Sequence, residues 1–373
     1  MVDPRPLGIR DVRVTRRAVN HRGDWVFLEL TDSDGRRGLG EASHSGDDEA
    51  VVRLLAGAVG EQVRGTAWAE PPEAWRVLDG ATPPGTPRRV SATAASAVEQ
   101  ALWDLAAQRE GVGLAALLGA SAERVTVPLY ANINRATVDR SPDGFAASAT
   151  QAVRDGFRII KLAPFDEVAY GTPAAAHRRL AEPGIARVAA VREAVGAAVR
   201  VLVDCHWRFD VASALEVADA LGRLDVGWLE DPVPYEDGPA DVAAVRRSAS
   251  LPIATGERLI GAVAFDPFLA ADAADYYLPD IKHIGGIGEL LELARASRDS
   301  GARITPHNPS GPISTLASAC ALAGVAHAAP LEFAWGEVAW RPAVLTPPEL
   351  VEDGALVLPV DWPGLGARLS RIT

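Results

Sequence analysis

Lysine is almost absent from this chain of 373 residues: only Lys161 and Lys282 occur, and the other basic residues are arginines. Cysteine is equally scarce. Cys205 and Cys320 show no paired spacing, which argues against a disulfide framework and favours a reducing compartment. No run of about 18 apolar residues occurs, and the first residues lack an apolar signal core. We therefore expect a cytoplasmic protein with no membrane partner.

The chain also lacks a basic stripe. Its net charge is −12 and its pI is near 5.1, so we expect no nucleic-acid partner, because nothing would displace counterions from phosphates. Hydrophobic residues make up 48% and charged residues 23%, which is ordinary for a globular protein. The length allows one large barrel with a smaller domain, or two medium domains.

The first third of the chain mixes strand and helix patterns, which predicts a small α+β domain over residues 1–124. Ser96 is the predicted N-cap of its last helix. The predicted elements are strands at 12–18, 25–30 and 38–43 and helices at 47–63 and 96–109.

From residue 125 onward, short apolar runs alternate with helical patterns. Eight strands are predicted, at 125–130, 157–162, 200–204, 226–230, 252–255, 276–279, 302–305 and 329–333. Eight is the number that closes a (β/α)8 barrel, so we predict an α/β fold with a barrel over residues 125–340. The stretch 164–183 is interpreted as a long loop, and the tail 341–373 is expected to pack back on the small domain.

Chemically active side chains stand at the ends of these strands. Asp204, Glu230, Glu257, Asp280 and His307 follow one another at intervals of 23 to 27 residues. This interval is that of one βα unit, so the five side chains converge on one mouth of the barrel. Three carboxylates will not share a small space without a cation. The sequence therefore predicts a hard divalent ion, and Mg²⁺ is the ion we expect.

Several motifs resemble the enolase superfamily. They are Gly-Leu-Gly-Glu-Ala at 38–42, Trp-Leu-Glu-Asp-Pro at 228–232, Thr-Gly-Glu-Arg at 255–258 and Thr-Pro-His-Asn-Pro-Ser-Gly-Pro-Ile at 305–313. Within that superfamily the chain resembles the mandelate racemase / muconate lactonizing enzyme branch, and most of all the galactonate-type acid-sugar dehydratases. The resemblance implies a modified (β/α)8 (TIM) barrel with an N-terminal α+β capping domain. It also implies a homo-oligomer, either a dimer or an octamer.

The resemblance assigns roles to the strand-end residues. Asp204, Glu230 and Glu257 are expected to bind one Mg²⁺ per subunit. His307 and Asp280 are expected to form the dyad that removes a proton. At the ends of the second and eighth strands, Lys161 and Glu332 are expected to contact the substrate carboxylate.

Two departures from the racemase pattern favour elimination of water. The racemases carry Lys-x-Lys on the second strand, whereas this chain reads Lys161-Leu-Ala163, so the second base is missing. Galactonate-type dehydratases carry a histidine acid after the third strand, and His206 stands at that place. An alternative interpretation of His206 is a structural residue that faces away from the site.

The chemistry explains why such groups are needed. The proton α to a carboxylate is weakly acidic, because its loss produces an enediolate with a second negative charge. His307 can accept that proton if Asp280 holds its other N–H. His206 would protonate the departing 3-hydroxyl. Glu332 could donate a hydrogen bond to the substrate carboxylate only if its pKa is raised.

Substrate contacts are predicted at two places. Asn132 and Asn134 end the first barrel strand, and polar residues at a barrel mouth suit sugar hydroxyls. In loops of the small domain, which close over the substrate in the superfamily, the candidates are His21, Arg22 and His44. Lys282 and His283 follow the sixth strand, and a solvated loop position is the alternative for Lys282.

The predicted function is therefore dehydration of a sugar acid, aldonic or aldaric, to a 2-keto-3-deoxy acid. The alternative is a racemase or epimerase of an α-substituted carboxylate that uses His307 with Lys161 or Lys282. A third possibility is a relative that binds a small carboxylate without converting it.

Overall fold

A four-stranded antiparallel sheet and five helices form the first part of the protein. The computed structural model describes residues 6–20, 23–79, 82–120, 125–359 and 361–370. The strands are β1 (Leu7–Asn20), β2 (Gly23–Asp32), β3 (Arg37–Glu41) and β4 (Ala67–Trp68), in the order β3-β2-β1-β4. The helices are α1 (Asp48–Ala56), α2 (Ala58–Gly65), α3 (Glu73–Asp79), α4 (Arg88–Glu110) and α5 (Leu114–Leu117). The three predicted strands are present.

Two predicted helices differ from those observed. The stretch 47–63 is broken at Gly57 into α1 and α2. The last helix, α4, begins at Arg88, so the prediction of Ser96 as its N-cap is wrong; the Ser96 hydroxyl donates to the Ala92 carbonyl inside the helix. Most of α4 is buried, and a helix covered on most sides shows no apolar stripe that marks its beginning.

Eight parallel strands form the second part, as predicted. They are β5 (Thr126–Asn132), β6 (Ile159–Leu162), β7 (Arg200–Asp204), β8 (Val226–Glu230), β9 (Ile253–Thr255), β10 (Tyr276–Tyr277), β11 (Arg303–Ile304) and β12 (Leu331–Phe333). Neighbours pair in chain order, β12 pairs with β5, and Ile304 of β11 bridges Ala328 just before β12. The fold is thus an α/β barrel with an N-terminal α+β domain.

Helices follow the barrel strands on the outside. They are α6 (Pro142–Arg154), α7 (Ala174–Val195), α8 (Val211–Gly222), α9 (Ala240–Ser248), α10 (Asp266–Ala270), α11 (Ile287–Ala296) and α12 (Pro312–Leu322), with a 3₁₀ turn at Ala262–Phe265. The predicted loop 164–183 is too long, because α7 begins at Ala174 and contains Pro183. Gly184 follows, and a Cβ there would lie 2.3 Å from Phe165 Cδ1, so the helix packs tightly against that ring.

Side chains alternate between the two faces of each strand, and this alternation decides which of them point into the barrel. Tyr130, Leu202, Trp228, Ala254 and Leu278 form a separate buried cluster. Alternate residues of a strand share a face, so the side chains two positions after Leu202 and Trp228 also point inward. Those side chains are the first two predicted metal ligands, and they lie one layer closer to the mouth.

The tail contacts both parts of the molecule. It contains a 3₁₀ turn (Arg341–Ala343) and the strands β13 (Leu345–Thr346), β14 (Leu350–Glu352), β15 (Ala355–Val357) and β16 (Arg368–Leu369). β15 pairs with the beginning of β5, and Gly364 bridges Gly113 next to α5. None of the helices in the described part of the chain is long and apolar enough to cross a bilayer.

Candidate active site

Three carboxylates meet at the carboxyl ends of β7, β8 and β9. One oxygen from each of Asp204, Glu230 and Glu257 lies within 4.8 Å of the others, and all three residues are buried. Burial raises the pKa of Glu257, and repulsion from Asp231, Asp204 and Glu230 raises it further. No described residue makes a hydrogen bond to Glu257 Oε2. A cluster of anionic oxygens with one left unpartnered fits a hard divalent cation such as Mg²⁺.

The His307 ring joins this cluster to Asp280. Its Nδ1 lies 2.8 Å from Asp280 Oδ2, and its Nε2 lies 3.1 Å from Glu257 Oε2. Because a carboxylate accepts hydrogen bonds, Asp280 favours the tautomer with the proton on Nδ1. Burial lowers the pKa of His307, which favours the neutral ring. Its Nε2 lone pair therefore faces the carboxylates, as a proton acceptor must.

Lys282 is buried against Asp280. Its ammonium donates to both carboxylate oxygens, at 2.7 and 2.8 Å, and the residue is 0% exposed. The alternative of a solvated loop position is therefore wrong. The turn after β10 brings the Lys282 N–H to the same carboxylate, at 2.9 Å. Burial by itself raises the pKa of Asp280. The interactions with His283, Lys282 and His307 are stronger than this effect, so the pKa of Asp280 is held well below its usual range.

His283 lies behind the dyad. Its Nδ1 is 2.8 Å from Thr93 Oγ1 of α4, and its Nε2 is 3.6 Å from Asp280 Oδ2. The ring is buried at the junction between the capping helix and the barrel. The structure thus places it against protein groups, with Asp280 between it and His307.

Lys161 lies between two glutamates. Its ammonium is 2.6 Å from Glu230 Oε1 and 2.9 Å from Glu332 Oε1. Asn132 Nδ2 donates to the same Glu332 oxygen at 2.5 Å, and the N–H of Asn308 donates to the other at 2.8 Å. Lys161 therefore extends the metal cluster toward β12.

Glu332 differs from the prediction in its charge. Burial raises its pKa, but Lys161 and His307 outweigh burial, so the pKa of Glu332 is lowered. The raised pKa that Glu332 would need in order to donate to the substrate carboxylate is therefore not found, because Lys161, Asn132 and the N–H of Asn308 all donate to it. Glu332 holds Lys161 and Asn132 in place as an anion.

His206 turns back to Asp204, the first of the predicted metal ligands. Its N–H donates to Asp204 Oδ1 at 2.9 Å, and its Nε2 lies 3.0 Å from Asp204 Oδ2. β7 ends at Asp204, and His206 and Trp207 have φ of 50° and 57°. The left-handed turn at His206 and Trp207 thus directs the His206 ring to the three carboxylates. The alternation of side chains along β7 does not extend to this residue. The ring is 29% exposed beside a cavity of about 810 Å³ that is also lined by Trp207 and Arg258.

Above the mouth, side chains of the capping domain and the barrel meet. His44 Nε2 lies 2.9 Å from Arg135 Nη1, and Arg135 lies 2.6 Å from Glu337 Oε1. Asn20 Nδ2 donates to the same Glu337 oxygen at 2.9 Å. We call these four residues the cap–barrel cluster. Sequence reasoning missed Arg135 and Glu337, although both follow barrel strands within a few residues.

The remaining predicted contacts have different positions. The Asn134 side-chain oxygen accepts from Arg140 at 2.7 Å, so it faces that arginine. His21 and Arg22 lie outside the described residues. His44 is the candidate from the capping loops that the structure brings to the mouth. Burial, then Arg135 and Lys282, lower the pKa of His44 to about 2, so its ring is neutral.

Comparison with known proteins agrees with this architecture. Residues 6–119 match the family described as mandelate racemase / muconate lactonizing enzyme, N-terminal domain, and residues 144–372 match the family described as enolase C-terminal domain-like. The chain belongs to the mandelate racemase / muconate lactonizing enzyme branch of the enolase superfamily.

Characterised relatives and solved structures span nearly the whole chain. A D-xylonate dehydratase of Haloferax volcanii is 29% identical over 97% of this chain and 88% of its own. A D-galactonate dehydratase of Verminephrobacter eiseniae is 30% identical over 93% and 89%. An enolase-superfamily structure from Salmonella Typhimurium superposes with a TM-score of 0.84 at 22% identity, over 98% of this chain and 97% of its own.

Proposed function

We propose that the protein is a Mg²⁺-dependent hydro-lyase that dehydrates a sugar acid to a 2-keto-3-deoxy acid. The observation that carries the proposal is the position of two imidazoles on one carboxylate cluster. His307 Nε2 stands at Glu257 and His206 Nε2 stands at Asp204, while Ala163 occupies the place of the second racemase base. Relatives named as D-xylonate, D-galactonate and D-gluconate dehydratases support the class.

The carboxylates define where the acid end of the substrate binds. Asp204, Glu230 and Glu257 would hold a divalent cation, which supplies positive charge next to the substrate carboxylate. Lys161 is the buried cation nearest to these ligands, at 2.6 Å from Glu230. Its ammonium adds positive charge that favours the dianion formed after proton loss.

The reaction then needs one base and one acid. The C2–H bond breaks and its proton passes to His307 Nε2, while the proton on His307 Nδ1 stays on that nitrogen and is donated in a hydrogen bond to Asp280. The C3–O bond breaks as His206 donates a proton to the departing hydroxyl, so water leaves and a C2–C3 double bond forms. The resulting enol becomes the 2-keto-3-deoxy acid by proton transfer to C3. General acid–base catalysis of this kind contributes about 10²–10⁴-fold for each group.

The racemase alternative has less support from the geometry. Racemisation requires bases on opposite faces of C2. Lys282 and His307 both contact Asp280, so they stand side by side. Lys161 lies between Glu230 and Glu332. Burial lowers the pKa of Lys161, but the two glutamates have a larger effect, so the pKa is raised. A permanently protonated lysine is a poor proton acceptor.

The test is a panel of aldonic and aldaric acids incubated with the enzyme and Mg²⁺ and assayed for 2-keto acid. We expect product from at least one acid, and loss of that product in His307→Asn. Incubation in D₂O separates the alternatives, since a racemase incorporates deuterium and inverts C2 without loss of water. No keto acid from any member of the panel, with Mg²⁺ binding intact, would refute the proposal.

A further inference from the structure

We infer that the distal end of the substrate is an uncharged polyol, so that the preferred sugar acid is aldonic rather than aldaric. The inference rests on the proposed function and names its substrate class. It follows from the cap–barrel cluster, which has no net charge: Arg135 and Glu337 form a pair, and Asn20 and the neutral ring of His44 complete the group.

The cluster lies where a substrate tail would end. His44 lies in the loop after β3 of the capping domain, and the charges of Lys282, Asp280 and His307 reach its ring, so the cluster is near the dyad. Arg135 follows β5 by three residues, and Glu337 follows β12 by four. A substrate whose carboxylate lies at Lys161 therefore has its far carbons between the capping loops and these two barrel loops.

Glu337 is prepared to accept a hydrogen bond. Its side chain is 0% exposed, Oε1 receives Arg135 and Asn20, and Oε2 has no partner among the described residues. A buried carboxylate oxygen without a donor is unfavourable, and a hydrogen-bond donor on the substrate would remove that penalty. A sugar hydroxyl can donate to Oε2, whereas a second carboxylate cannot and would repel it.

The His44 ring also has an unused hydrogen-bonding atom. Its Nδ1 has no partner among the residues described. Gly23 packs close to this atom, since a Cβ at that glycine would lie 2.8 Å from it. Hydroxyls can both donate and accept, which suits a neighbourhood with a carboxylate, a guanidinium and a neutral imidazole.

The experiment compares matched pairs of acids that differ only at the far carbon: D-gluconate with D-glucarate and D-galactonate with galactarate. We expect wild-type kcat/KM to favour the aldonate by at least about tenfold, because like charges placed together cost several kcal/mol. Glu337→Gln removes the repelling charge and leaves Arg135 unpaired. We expect it to reduce that preference by about tenfold or more.

Glu236→Gln is the matched control. Glu236 pairs with Arg258 beside the cavity at Trp207, and its side chain is 54% exposed. The same substitution there should leave the preference unchanged. A wild-type enzyme that prefers the aldarate would overturn the inference. So would a preference for the aldonate that changes in E236Q but not in E337Q. Arg22→Ala is included, because loss of aldarate turnover in that variant would show that Arg22 binds a distal carboxylate. Turnover of no acid at all would instead refute the proposed function.

Discussion

The two imidazoles of the site differ in what holds them. His307 is fixed on one side by Asp280 and is mostly buried, whereas His206 is bound to Asp204 and is 29% exposed. His307→Asn roughly keeps the size of the side chain and a hydrogen-bonding group but removes the proposed base. We expect kcat to fall by about 10³-fold or more. Steady-state kinetics would show it, with an unchanged thermal midpoint as the control for folding.

Lys282 offers a test of a buried ion pair against an exposed one. Lys282→Met leaves Asp280 buried without its two-point partner, and breaking such a pair costs about 3–5 kcal/mol. Arg295→Met removes the same charge from a pair with Glu292 whose side chains are 67% and 52% exposed, and should cost far less, because solvent screens the pair. Denaturant unfolding of both variants measures the difference. Equal costs would show that Lys282 is not a structural partner of Asp280.

At the scale of the element, strand ends could be predicted well and contacts between loops could not. Asp204 and Glu230 end β7 and β8 where the apolar runs stop, because a strand that is buried on both faces reads as a continuous apolar run. Arg135 and Glu337 lie in loops that are 202 residues apart and meet only in the closed barrel. No local sequence pattern indicates that two such loops will meet. The beginning of α4 was missed for a related reason, since its burial depends on β3 and the barrel.

The contact between β3 and α4 makes a prediction of its own. A Cβ at Gly40 would lie 1.9 Å from the Ala97 carbonyl oxygen, so Gly40→Ala forces two backbones apart. We expect a loss of about 1–3 kcal/mol or more in the free energy of unfolding. Gly65→Ala is the control, because it lies in α2 with nothing within 4 Å of the added Cβ and should be neutral or slightly stabilising. Similar unfolding curves for both variants would contradict the close packing.

At the scale of the whole molecule, three buried carboxylates attach the capping domain to the rest. Glu41 accepts from Gly311 and Ser314 at the beginning of α12. Glu99 accepts from the N–H groups of Ile287 and Gly288 at the beginning of α11. Asp104 accepts from Leu365 in the tail. Helix N-termini carry unpaired N–H groups and partial positive charge, which favours the burial of Glu41 and Glu99. Asp104 is satisfied instead by the N–H of Leu365.

Glu99 makes this attachment sensitive to pH. Burial raises its pKa to about 8, even though Gly288, Ile287 and Trp103 donate to it. A raised carboxyl pKa means that the folded state binds the proton more tightly than the unfolded state. The stability that this proton contributes is present below the ordinary value of 4.5 and is lost as the pH rises through about 8. The thermal midpoint should therefore decrease between pH 5 and pH 9, and it should decrease more in wild type than in Glu99→Gln. If the thermal midpoints of the two proteins differ by the same amount at both pH values, the pH dependence does not come from Glu99.

The proposed metal site connects the smallest scale to the largest, because its three candidate ligands come from three successive βα units. A cation that binds only the folded barrel stabilises the whole molecule by mass action, by about 2.7 kcal/mol when its concentration is 100 times the dissociation constant. We expect the thermal midpoint of wild type to rise with Mg²⁺ concentration and to return on chelation. Asp204→Asn removes one of the three anionic ligands and should lose most of that rise. An equal rise in wild type and D204N would place the bound ion elsewhere, and the proposed reaction would then lack its source of positive charge.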